Sequence, residues 1–405
     1  MSKPTTTKNP EAKAAPTTSA SEKDAAADRQ HDPGFLERAG VNYYSRLAQK
    51  RSRRYHTADE LPDDDTLRKG ATRITIFGGV IAFVIGMIST IGSVWVEVEF
   101  EQKMDWYSYY SLQGGVTVVL VGIEFLVLFW VAMQTVHRLS ILTGTTHIEN
   151  EPLLPGKDKV PNLLARAALE IPDPVVNFLG IDPLRHVSRR KLLLLSLLYK
   201  AKIFLTNTIA KFVLRRMFGK SLMRVSVSWI AVPITGAWNW VVLWRVAREA
   251  RLRLFGYWLA KHISKELLTA QKMGELSPLA REGAVRAVAN MVVLTQRYHP
   301  NMMMLLVRIC HLLEIDKDKQ YDDWQEFLTI LRQVSRKERN FLLDLLSVAA
   351  AFDGRLSRLE RQKLPEAFGE HTEAYYDRIR TLKKLLMNGR LHEARAYCEL
   401  DFEPG

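Results

Sequence analysis

Few residues in this chain have types and spacing that could do chemistry, and the densest group is "AAAFDGRLSRLE", residues 349–360. Asp353, Gly354 and Glu360 stand at the intervals of positions five, six and twelve of a calcium-binding loop. Positions one and three are then Ala349 and Ala351, which offer no ligand oxygen, whereas a hard divalent cation takes six or more. The same letters also spell a joint between helices. Gly354 suits the left-handed residue that ends one helix. Ser357 and Glu360 form the S-x-x-E capping box of the next, with Leu356 packing at its entry. The joint is the leading reading, and a divalent cation on Asp353 and Glu360 is the alternative. A second acidic run, "DKDKQYDDWQEF", alternates Asp316, Asp318, Gln320 and Asp322. It has Tyr321 where such a loop needs glycine, and its Glu326 falls one residue early. An acidic turn ahead of a helix accounts for it.

The remaining chemistry-bearing residues do not converge. The ten histidines are scattered, and no His, Cys and carboxylate spacing marks a catalytic metal or a nucleophile. The expectation is a protein that is not an enzyme and carries no cofactor beyond that candidate cation. Cys310 and Cys398 are the only cysteines, so a disulfide framework is excluded and buried free thiols in a reducing compartment are expected. Glu124 is the exception in kind, because it lies inside the apolar run "GGVTVVLVGIEFLVLFWVAM". A carboxyl group at that depth is expensive. A hydrogen bond to a neighbouring helix is its expected role, and an ion path is the alternative.

The elements that position these residues begin with that run, 114–134, and an earlier one at 74–96, "ITIFGGVIAFVIGMISTIGSVWV". Each is long enough to cross a hydrocarbon core of roughly 30 Å. Only a closed helix satisfies its backbone in lipid, which predicts a transmembrane hairpin over 71–140. The connecting turn is acidic, with Glu97, Glu99, Glu101 and Asp105 against Lys103, and its Trp106, Tyr107, Tyr109 and Tyr110 suit an interfacial belt. Arg68, Lys69 and Arg73 precede the first run and His137 and Arg138 follow the second, which places both termini in the cytoplasm. Gly78, Ala82 and Gly86 form a small-residue stripe for close helix packing. The second span is its expected partner and a second copy of the chain the alternative.

Around the hairpin the composition changes sharply. Residues 1–70 read as a disordered leader of Ala, Thr, Ser, Pro and Lys ending in a short basic amphipathic segment, "GFLERAGVNYYSRLAQKRSRR". A linker with an amphipathic helix occupies 141–184. Net charge is +13, and residues 185–253 hold 15 Lys and Arg against one acid, Glu249. Apolar runs are woven through this basic module, residues 185–270. Lys191, Lys200, Lys202, Lys211, Arg215 and Arg216 fringe one such run, and Trp229, Trp238, Trp240 and Trp244 lie in another, 225–244. The expected partner is anionic membrane lipid, with nucleic acid ranked below it because the aromatics sit in uninterrupted apolar runs. Pro233 and Gly236 interrupt 225–244 in the middle. That predicts a half-inserted hairpin or a buried core pair, with a third span as the alternative. The stretch 190–255, with Pro233, Gly236, Ala237, Asn239 and the run to Ala250, resembles the EcsC-type helical region. That resemblance implies a membrane-associated helical module.

From residue 276 onward, 3.6-residue periodicity and short connections predict a helical bundle, 276–405. "RKERNFLLDLLSVAAAFDGRLSRLERQKL" resembles the signature of TerB-like domains, a Leu/Ala-rich helix followed by DG-x-L-x-x-x-E. The resemblance implies a link to tellurite resistance and envelope stress, and it implies metal-binding roles for Asp353 and Glu360. The expected fold is all-α, a two-span membrane helical hairpin plus a cytosolic helical bundle. The expected function is a membrane-anchored scaffold or stress sensor at the inner leaflet of a bacterial cell membrane. A small transporter or channel component using Glu124 and a third span is the alternative. Protein partners are not legible in the sequence.

Overall fold

A computed structural model describes residues 35–51, 61–145, 160–169, 181, 224–313, 315, 319–352, 354 and 356–402. Its elements are helical throughout, with no strand among the described residues. Six of the basic positions singled out above (Lys191, Lys200, Lys202, Lys211, Arg215 and Arg216) lie outside the described residues, as do Asp353, Asp316 and Asp318.

Helix α1 runs over Phe35–Arg51. It is docked rather than loose: the Tyr44 hydroxyl donates to the Met133 carbonyl at 3.0 Å, and Gln134 bonds Tyr43. Helix α2, Asp64–Phe100, and helix α3, Trp106–Leu142, each have 37 residues. At 1.5 Å per residue each is about 55 Å long, well beyond the apolar run that it contains. Both begin on an aspartate cap. Asp63 accepts the Thr66 N–H and Asp105 the Ser108 N–H, each at 3.1 Å, so an orphan donor of each first turn is satisfied. Helix α4, Val160–Leu169, packs on α1 and α3.

Helix α5, Arg224–His262, is the main departure from the sequence reading. The run 225–244 does not break into a hairpin. Pro233 lies inside a continuous 39-residue helix, where it removes one backbone bond, the one to the Trp229 carbonyl, and the Thr235 hydroxyl nearby donates to the Ala231 carbonyl at 2.9 Å. Gly236 is helical too, and its missing side chain serves packing: a Cβ there would sit 2.8 Å from the Phe83 carbonyl oxygen of α2. A π-helical turn, Ile263–Leu267, ends α5, with Arg308 donating to the freed Ser264 and Leu268 carbonyls.

The rest is a bundle: α6 Ala270–Glu275, α7 Pro278–Thr295, α8 Pro300–Leu312, α9 Trp324–Gln333, α10 Arg336–Phe352, α11 Arg358–Phe368, α12 Thr372–Asn388 and α13 Leu391–Tyr397. Helix α7 is its centre, buried along nearly its whole length from Ala280 to Thr295. The C-terminal half of α5 enters this bundle and packs on α8, α12 and α13. The Asp64 carboxylate at the start of α2 accepts the N–H groups of His392 and Glu393 at 2.9 and 3.1 Å, fastening α13 to the foot of the hairpin.

Candidate functional site: a polar node among three apolar helices

Three helices, α2, α3 and α5, are long and apolar enough to cross a membrane. Their outward faces are unusually apolar for exposed surface. Ile76, Val80, Val84 and Ile88 on α2, Val118, Ile123 and Leu126 on α3, and Ile230 and Val241 on α5 are all exposed. A contiguous apolar belt of this extent belongs against lipid or another protein.

Inside the belt the three helices meet on one carboxyl group. Glu124 of α3 is 1 % exposed. Its Oε2 accepts the Ser89 hydroxyl of α2 at 2.6 Å, and its Oε1 accepts Asn239 Nδ2 of α5 at 2.9 Å. Each helix therefore supplies one member. In an apolar surrounding, such bonds are worth about 0.6 kcal/mol each on average and up to about 1.7. The sequence singled out Glu124 and passed over its partners. A Ser and an Asn within apolar runs were the available signal, but matching them requires knowing which helices pair.

The small-residue stripe explains how the backbones come close enough. A Cβ on Gly86 would lie 2.5 Å from Asn239 Nδ2 and 3.0 Å from the Thr235 carbonyl oxygen. On Gly78 it would meet the Thr135 hydroxyl at 2.6 Å and a Leu243 methyl at 2.8 Å, and on Gly79 the Trp240 ring at 3.0 Å. Ala82 is fully buried. The stripe therefore seats α5 chiefly, with Thr135 of α3 touching only Gly78; the sequence reading had expected the second span. The physical reason is that Gly79 and Gly86 of α2 and Gly236 of α5 let these two helix backbones approach closely.

Of the four tryptophans assigned to lipid, Trp229, Trp238 and Trp244 are exposed, whereas Trp240 is half-buried against Gly79. At one end of the belt, cations lie over aromatic rings: Arg138 over Phe77 at 5.2 Å and Arg248 over Trp244 at 5.6 Å. Arg73 and Arg245 are exposed beside them. Arg251 reaches across to the Thr75 hydroxyl at 2.7 Å. At the other end stands the acidic turn, with Trp106, Tyr107 and Tyr110 exposed.

In the bundle, the two acidic motifs resolve into helix ends. Gly354 has φ +75°, the left-handed conformation. Ser357 accepts the Glu360 N–H at 3.0 Å, the buried Glu360 carboxylate accepts the Ser357 N–H, and the Ser357 hydroxyl donates to the Leu294 carbonyl at 3.1 Å. Among the described residues no three His, Cys, Asp or Glu converge as a metal set. In the second motif, Asp323 caps α9 through the Gln325 and Glu326 N–H groups, and Glu326 pairs with the buried Arg286 at 2.6 Å. Cys310 and Cys398 are unpaired thiols, each pushed up to about 12 by burial.

A buried carboxyl group with strongly altered acidity in the bundle is Asp344 of α10. Burial raises it to about 7, against the Arg378 guanidinium and the Phe402 N–H, which favour its charged form. Phe402 N donates to Asp344 Oδ2 at 2.7 Å, and Arg378 lies over the Phe402 ring at 4.5 Å while donating to the Glu399 carbonyl. This cluster holds the last described residues onto α10 and α12.

The class defined by these features is an all-helical protein with three apolar helices of membrane-crossing length, locked on a shared carboxyl group and continuous with a helical bundle. No family model matches the chain, and no curated protein or solved structure matches it either.

Proposed function

We propose that this protein is a membrane-anchored scaffold or stress sensor that holds a TerB-like helical bundle against the cytoplasmic leaflet of a bacterial inner membrane. The observation that carries this reading is α5, one unbroken helix that packs on the glycine stripe of α2 in its first half and enters the bundle in its second. The anchoring of α13 by Asp64 supports it, since it ties the bundle directly to the foot of α2. The Arg73, Arg138, Arg245 and Arg248 belt, with its aromatic neighbours, suits anionic headgroups at about 1 kcal/mol per cation. The acidic turn belongs on the opposite side by the same charge rule.

The competing reading, a transport component built on Glu124, gains a third apolar helix. Both oxygens of Glu124 are engaged by neighbouring helices, which favours a packing role. The full chain in anionic lipid nanodiscs should be more heat-stable than in neutral ones, and 0.5 M salt should reduce the difference. Equal stability in both would remove the electrostatic part, and recovery of full-length protein as a soluble species without detergent would remove the membrane reading.

A further inference from the structure

The register between α2 and α5 fixes more than their contact. Arg251 meets Thr75, Leu243 meets Gly78, Trp240 meets Gly79, Gly236 meets Phe83 and the Thr235 carbonyl meets Gly86. As α2 numbers rise, α5 numbers fall, so the two helices are antiparallel. From Gly236 back to Arg224 is twelve residues, about 18 Å at the helical rise. The same distance along α2 from Phe83 leads to about Val96, the edge of the acidic turn. The first turn of α5 therefore stands level with that turn, and not with the bundle.

The end of α3 lies at the opposite level. The Thr143 carbonyl accepts Trp258 Nε1 of α5 at 2.8 Å, and Trp258 is 34 residues, about 51 Å, along α5 from Arg224. Further on, the Ile181 carbonyl accepts the Tyr298 hydroxyl, so at Ile181 the chain is still beside the bundle. The hydrocarbon layer is about 30 Å thick. Along α5, the level of Trp258 and the level of Arg224 are therefore separated by more than that thickness.

We infer that α5 crosses the whole apolar layer with its first turn on the same face as the α2–α3 turn, opposite the bundle. This rests on the membrane reading of α2 and α3 proposed above and goes beyond it.

The test is cysteine accessibility in the full chain, expressed in cells and probed with a membrane-impermeant maleimide before and after permeabilisation. Three single variants suffice: Met104→Cys in the turn, Val225→Cys in the first turn of α5 and Lys337→Cys on α10. Parent protein provides the background, since Cys310 and Cys398 are its only thiols. M104C and V225C should label alike, and K337C on the opposite side. V225C labelling together with K337C would overturn the inference, as would V225C failing to label on either side, the signature of a re-entrant helix. If M104C and K337C label on the same side, the membrane reading itself fails, which is a separate result.

Discussion

Replacing Asn239 with Ala tests whether the three-helix node holds the apolar helices together. Asn239 supplies one of the two donors on Glu124, at 2.9 Å, and its amide fills the space above Gly86. A hydrogen bond between apolar helices contributes about 0.6 to 1.7 kcal/mol, and truncating the amide also forfeits contacts over the glycine. The expected loss is about 1–2 kcal/mol, a 5- to 30-fold fall in the folding constant. Ser89→Ala should cost a similar amount by removing the other donor, at 2.6 Å. The double variant is the sharper measurement. With both donors gone, the Glu124 carboxyl group loses its bonds to α2 and to α5 together, so the cost should exceed the sum of the two single losses by at least about 0.5 kcal/mol. Glu124→Gln keeps an acceptor for Asn239 and should be milder than Glu124→Ala. The assay is unfolding of the full chain in detergent by titration with SDS, followed by the fluorescence of its nine tryptophans. Two single variants within about 0.3 kcal/mol of the parent, or strictly additive losses, would refute the node as a fastening point.

Other substitutions probe separate parts of the fold. Gly86→Val places a branched side chain against Asn239 and the Thr235 backbone, and should cost about 1–3 kcal/mol in the same titration by separating α5 from α2. Ser357→Ala removes the capping box and the bond to Leu294, for a loss of about 1 kcal/mol in thermal unfolding. Asp344 has a folded acidity raised to about 7 from an unfolded value near 3.8, so the folded protein holds the proton more tightly. Its contribution to stability is complete below the unfolded value and is lost as pH rises through about 7. Asp344→Asn should therefore flatten the fall in melting temperature between pH 4 and 8, and an unchanged slope would remove Asp344 as its source.

The parts of this fold that are written locally were legible in the sequence. The apolar runs at 74–96 and 114–134 lie within α2 and α3, because composition alone makes a helix in such a run. The S-x-x-E pattern at Ser357 and Glu360 forms the capping box, because its bonds span three residues. What failed were inferences that depend on a distant neighbour. Pro233 and Gly236 read as breakers, since in isolation each weakens a helix. Seated against Phe83 and Met87, Gly236 instead permits a backbone approach that a larger residue would forbid. Asn239 is a polar residue in a largely apolar run, and its amide meets a buried carboxylate 115 residues away. The partner of the glycine stripe was likewise misassigned, since small residues mark where a helix can approach and not which helix comes.

The unbroken run of α5 has a mechanical meaning. From Arg245 to His262 it extends about 27 Å past the apolar stretch, with no loop to absorb motion. A change of tilt of about 10° pivoting at Arg245 would carry His262 by about 5 Å, several times the play of a close-packed interior. If α5 crosses a bilayer as proposed, the leaning by which helices commonly accommodate thinning or thickening would reach the bundle helices as a lever stroke.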